Sequence, residues 1–65
     1  MVNVRVQEIR ESKGMSKSEL ARRSKLALSY INSIESGEKS PTVRTLEKIA
    51  AALEVSISDL IQKTA

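Results

Sequence analysis

The sequence predicts an all-α fold, a compact bundle of five short helices. Three observations carry that prediction. Apolar residues recur at i, i+4 and i+7, the spacing of one helix face, at Val2, Val6 and Ile9 and again at Ala27, Ile31 and Ile34. Serine and threonine caps and glycine stops cut these runs into short segments. No segment alternates with period two for long enough to make a strand.

Taken in order, the first helix is predicted over residues 2–13, ended by Gly14, which tolerates the left-handed turn of a helix end, with Met15 packing back on the last turn. Ser16-Lys17-Ser18-Glu19 has the form of a capping box. Ser16 would accept from the Glu19 amide and Glu19 would reach back to the Ser16 amide, with Met15 and Leu20 as a hydrophobic staple. A second helix over 17–23 follows. The third, over 28–36, is stopped by Gly37, and so tight a turn between the two forces a steep crossing. The fourth helix spans 42–53, with Val43, Leu46, Ile49, Ala50 and Leu53 on its apolar side. Its cap is either Ser40, with Pro41 in the first helical position, or Thr42. Ser56-Ile57-Ser58-Asp59 offers another box-like cap, stapled by Val55 and Leu60, for a fifth helix over 57–63. Gln62 to Ala65 are expected to fray.

Composition narrows the function. The chain of 65 residues makes one domain with a small core and no room for a separate sensor or catalytic domain. It contains no cysteine and no histidine. That removes disulfides, leaves zinc only carboxylates, and provides no ready general base near neutral pH. Neither a metal nor a cofactor is expected. With no glycine-rich phosphate loop and little space for a pocket, an enzyme is disfavoured. The net charge is +3, and it is uneven. Residues 1–25 carry seven Lys/Arg against three Glu, whereas residues 26–65 carry four basic and five acidic side chains. A basic half points to an anionic partner. The longest uncharged run is too short to span a bilayer, and no signal peptide follows Met1, so a soluble cytoplasmic protein is expected.

The landmarks Ile9-Arg10, Gly14, Ser16, Leu20-Ala21, Ile31, Ile34-Glu35, Gly37, Pro41, Leu46, Ala50, Leu53, Val55 and Leu60 give the chain its functional constellation. So spaced, it resembles the lambda-repressor-like, Cro/C1-type (XRE) helix-turn-helix family. The resemblance implies a helix-turn-helix domain over 6–60, with the motif at about 17–36 and a short C-terminal tail over 61–65. It also implies that the second helix lies across the DNA backbone while the third enters the major groove. The residues agree with that: the third helix turns Ile31 and Ile34 inward and Leu28, Ser29, Asn32 and Ser33 outward. Small polar groups there can bond base edges, and Leu28 can touch a thymine methyl. By resemblance, phosphates are met by Lys17, Arg22, Lys39, Ser40 and Arg44, and Arg10 and Glu35 form a structural ion pair between the first and third helices. Tyr30, the only aromatic residue, is read as partly packed with its hydroxyl at the surface.

Three positions depart from the family. Lys25 stands where glycine is common in the turn, at a cost of about 1 kcal/mol. Ala27 replaces a Ser/Thr cap, losing about 0.5–2 kcal/mol and leaving amides of the third helix free for phosphate or water. Glu54 replaces another frequent glycine. The function implied is sequence-specific binding of double-stranded DNA at a palindromic operator by a homodimer that regulates transcription, with repression ahead of activation. The apolar Val55, Ile57 and Ile61 supply the expected dimer contact. The alternative is a protein-interaction module, or an antitoxin-type partner-binding protein, on the same fold.

Overall fold

A computed structural model of the protein describes the backbone of residues 3–62 and the side chains of residues 5–61. Five helices follow one another: α1 (Val6–Ser12), α2 (Lys17–Ser24), α3 (Leu28–Ser36), α4 (Val43–Leu53) and α5 (Ile57–Leu60). Two-residue strands, β1 (Asn3–Val4) and β2 (Ile61–Gln62), flank them and pair antiparallel, Asn3 with Gln62 and Val4 with Ile61.

This ladder corrects the expected ends of the first and last helices and the expectation of no strand. The Arg5 amide donates to the Leu60 carbonyl at 2.6 Å, so the backbone that would open α1 is spent on a contact 55 positions away in sequence. Ile61 is extended, at φ −96° and ψ 118°, a conformation its β-branched side chain favours. Local periodicity cannot anticipate a pairing made only when the chain ends meet. Of the residues expected to fray, Gln62 belongs to β2. Val2, expected on the apolar face of the first helix, and the last three residues of the tail lie outside the described residues.

The helix ends obey one rule. Each of α1 to α4 is followed by a residue in the left-handed region: Gly14 (φ 68°), Lys25 (φ 60°), Gly37 (φ 83°) and Glu54 (φ 60°). The next amide in each case turns back to a carbonyl five residues earlier. Met15 donates to Arg10, Leu26 to Ala21, Glu38 to Ser33 and Val55 to Ala50, all at 2.9 to 3.1 Å. These bonds satisfy carbonyls that a helix end leaves open. Met15, Leu26 and Val55 then pack back on the core. Glu38 is the exception and stays exposed.

The starts are capped by Ser16, Thr42 and Ser56, each accepting from the amide three residues on. Thr42 thus resolves the choice at α4. The full reciprocal box forms only at Ser56 and Asp59. At Ser16 it does not. The Glu19 carboxylate instead takes a 2.6 Å bond from Arg23, one turn along α2, an acid-before-base order that suits the helix dipole.

Val6, Leu20, Ile31, Ile49, Leu53 and Leu60 are fully buried at the centre of the core, each contributing about 1.5–3 kcal/mol of burial. Two apolar positions break the expected pattern. Ala27 is exposed as the first cap residue of α3, and Val43 is 68% exposed at the first position of α4. Thr45 is buried in that turn, because its hydroxyl receives a bond from Thr42 at 3.0 Å and lies 3.4 Å from the Tyr30 hydroxyl.

Candidate nucleic-acid interface

The position of α3 is set from its inner side. Ile31 and Ile34 sit in the core, 0% and 2% exposed, and α3 packs against α1 and α2. Between these hydrophobic anchors and the turn after α1 lies an ion pair. Arg10 donates through Nε to Glu35 Oε2 at 2.8 Å and through Nη2 to Glu35 Oε1 at 3.2 Å. Its Nη1 donates to the Met15 carbonyl at 2.7 Å. The two side chains are 7% and 4% exposed. The hydrogen bonds that Arg10 donates to Glu35 raise the arginine above its ordinary value, against the opposing effect of burial. One guanidinium therefore ties α1, the α1–α2 turn and α3 together. With all its nitrogens committed, Arg10 has little left to offer a phosphate.

Outward, α3 shows a narrow, uncharged face. Leu28 is 43% exposed, Ser29 and Asn32 are exposed, and Ser33 is half-buried. The Ser33 hydroxyl lies 3.5 Å from a Glu38 carboxylate oxygen. Ser36 shares this side of the helix by its spacing from Ser29 and Ser33. Its hydroxyl is engaged at the helix end, donating to the Ser33 carbonyl and accepting from the Glu38 amide. Glu35 is the only ionic residue of α3, and Arg10 neutralises it internally.

The cations stand on neighbouring elements. Lys17 opens α2, Arg22 lies further along it, Lys39 follows α3 and Arg44 is in the first turn of α4; all four are exposed, as is Ser40. None of the four cations enters a salt bridge among the described residues, whereas Arg5, Arg10 and Arg23 each do. Lys39 is also placed by Tyr30, its Nζ lying 5.9 Å from the ring centroid, within cation–π range. This contact, and the Tyr30–Thr45–Thr42 hydroxyl chain that anchors α3 to the start of α4, went unread in the sequence. A Thr-x-x-Thr cap directly after Pro41 was the available signal for the hydroxyl chain.

The α2–α3 turn holds Lys25 left-handed, and Ala27, extended at φ −68° and ψ 143°, provides no side-chain cap. Val55, Ile57 and Ile61 are half-buried and packed against the core. Elsewhere, an open cleft of about 450 Å³ lies between the α1–α2 region and the end of α4, lined by Lys13, Glu19, Arg23 and Glu54 among others. It takes no residue from α3. Among the described residues there is no cluster of metal-ligating side chains, and no helix is long and apolar enough to cross a membrane.

A family model described as helix-turn-helix matches residues 6–60. The chain is 39% identical over 64 residues, 97% of its length, to the HTH-type transcriptional regulator SinR of Bacillus subtilis (strain 168), and spans 58% of that protein's length. Among solved structures it is similar to the restriction-modification controller protein C.AhdI from Aeromonas hydrophila. That match has a TM-score of 0.82 at 33% identity and covers 85% of this chain and 83% of the other. It is similar also to SinR, master regulator for biofilm formation, in complex with DNA, with a TM-score of 0.79 at 42% identity over 83% of this chain and 87% of the other.

Proposed function

The chain belongs to the Cro/C1-type helix-turn-helix family, and from that membership we propose that it binds double-stranded DNA sequence-specifically through α3 and regulates transcription by occupying an operator. One observation carries the reading. The helix that follows the tight turn is fixed on its inner side by Ile31, Ile34 and the Arg10–Glu35 pair, and bears no charge on its outer side. A major groove is read by such a helix, with small polar and apolar side chains against base edges. Lys17, Arg22, Lys39 and Arg44, exposed and outside any salt bridge among the described residues, are assigned to phosphates together with Ser40. One relative supports the same reading on two counts: SinR is a transcriptional regulator, and it was solved with DNA bound.

A cytoplasmic homodimer on a palindromic operator completes the proposal. The half-buried Val55, Ile57 and Ile61 keep apolar surface at the end of the bundle for a second copy. The two α3 helices would stand about 34 Å apart, one turn of DNA.

The test is a fluorescence-anisotropy titration with duplex DNA over a series of salt concentrations. Four phosphate-neutralising cations per chain give a log–log slope of roughly −3.6, doubled in a dimer. A flat salt response, or no binding at low salt, refutes the proposal in favour of a protein-binding role.

A further inference from the structure

Resting on the reading of DNA by α3, we infer that the half-site is specified through A·T pairs: adenine by the Asn32 amide and the thymine methyl by Leu28, with no guanine read from α3. A forked cationic donor is missing from α3. Its sequence, LSYINSIES, has no lysine or arginine. In the major groove guanine shows two adjacent acceptors, O6 and N7, which are read by a forked or multiple donor. A serine hydroxyl can contact any base but donates only once, so Ser29 and Ser33 give no preference for guanine. On the Ser33 edge the serine hydroxyl already donates to the Glu38 carboxylate at 3.5 Å. That carboxylate is an acceptor and repels the guanine edge.

The other edge presents an amide and an apolar side chain. Asn32 is exposed, and its side chain makes no hydrogen bond among the described residues. Its amide pairs one donor with one acceptor, the complement of adenine N7 and N6. Leu28 is one of two large hydrophobic side chains left exposed among the described residues, the other being Val43 on α4. On a face meant for DNA, the apolar group that can cover it is the C5-methyl of thymine. Leu28 and Asn32 are four residues apart and share one edge of the helix. They stand about 6 Å apart along its axis, close to two base steps of about 3.4 Å. The two contacts therefore fall on A·T pairs two steps apart, with one base pair between them.

The experiment uses the full chain and has two steps. Bound sequences are first selected from a random duplex library. In the selected duplex, each thymine of one half-site is then replaced singly by deoxyuridine, which removes only the methyl. The expected selection contains two A·T pairs separated by one base pair in each half-site. Uracil should weaken binding about fourfold at one position, the worth of roughly one buried methyl group. The Leu28→Ala protein should bind thymine and uracil duplexes equally. Asn32→Ala should lose about tenfold for the selected duplex while holding its affinity for scrambled DNA. Both side chains are exposed, so unchanged thermal melts by circular dichroism verify that the variants fold. A selected half-site defined by guanines, or uracil tolerated at every position, overturns this inference and leaves DNA reading by α3 standing. Failure to select any sequence over scrambled duplex overturns both.

Discussion

Replacing Glu35 by alanine perturbs the joint on which the geometry of the reading helix depends. The substitution removes both Glu35 oxygens that accept from Arg10, at 2.8 and 3.2 Å, and leaves a guanidinium that is 7% exposed with the neutral Met15 carbonyl as its remaining hydrogen-bond acceptor. Stripping one partner from a buried pair costs about 3–5 kcal/mol. The Glu11 carboxylate, 3.7 Å from Arg10 Nη2 but 60% exposed, offsets part of this through solvent-screened attraction, so the lower end, about 3 kcal/mol, is expected. A chain of 65 residues holds only about 3–10 kcal/mol in total, so the variant should be partly unfolded at room temperature. The assay is urea denaturation followed by far-ultraviolet circular dichroism. Glu35→Gln, which keeps an acceptor and loses the charge, should cost less. The double variant Arg10→Met/Glu35→Leu should recover most of the loss, since the desolvation of both charges disappears. Because the arginine is raised above its ordinary value, its share of the stability is present below that value and is lost only in strong alkali. A Glu35→Ala midpoint within error of the parent would refute the reasoning.

Other positions give sharper, smaller effects. Lys25→Gly should stabilise the fold by about 1 kcal/mol, because the left-handed backbone at φ 60° strains any residue with a Cβ; a thermal melt unchanged or lowered would contradict this. Ala27→Ser should add about 1 kcal/mol in the same melt, since the backbone is already extended as a cap requires. Lys39→Ala should weaken binding to all duplexes alike and reduce the salt slope by about one unit, and a sequence-dependent loss would move Lys39 from phosphate to base. Sedimentation should detect a dimer at high concentration, whereas a monomer bound to single half-sites would remove the assignment of Val55, Ile57 and Ile61.

Most of the helical framework was legible because its signals are local. Ser16, Ser56 and the two glycines mark boundaries by chemistry that acts within a few residues. The i, i+4, i+7 run through Ile31 and Ile34 decides which side of α3 faces inward. What escaped was non-local or competitive. The β1–β2 ladder depends on chain ends meeting, and Glu19 had two possible partners of which Arg23 prevailed. Val43 fits the apolar period of α4 and is nevertheless exposed at the first position of that helix, while Thr45 in the same turn is buried. On the outer face of α3, residue identity and spacing identify the candidates. The half-burial of Ser33, the engagement of Ser36 and the placement of Lys39 over Tyr30 required coordinates.

The central claim is that α3 is the surface that meets DNA, and nuclear magnetic resonance tests it most directly. Amide chemical shifts of the labelled chain would be followed as a selected duplex is added. The expected changes concentrate at Leu28, Ser29, Asn32 and Ser33, with a second set at Lys17, Arg22, Lys39, Ser40 and Arg44, while the core amides of α4 around Ile49 stay in place. Changes confined to α5, or to the cleft beside Lys13 and Glu54, with α3 silent, would contradict the account.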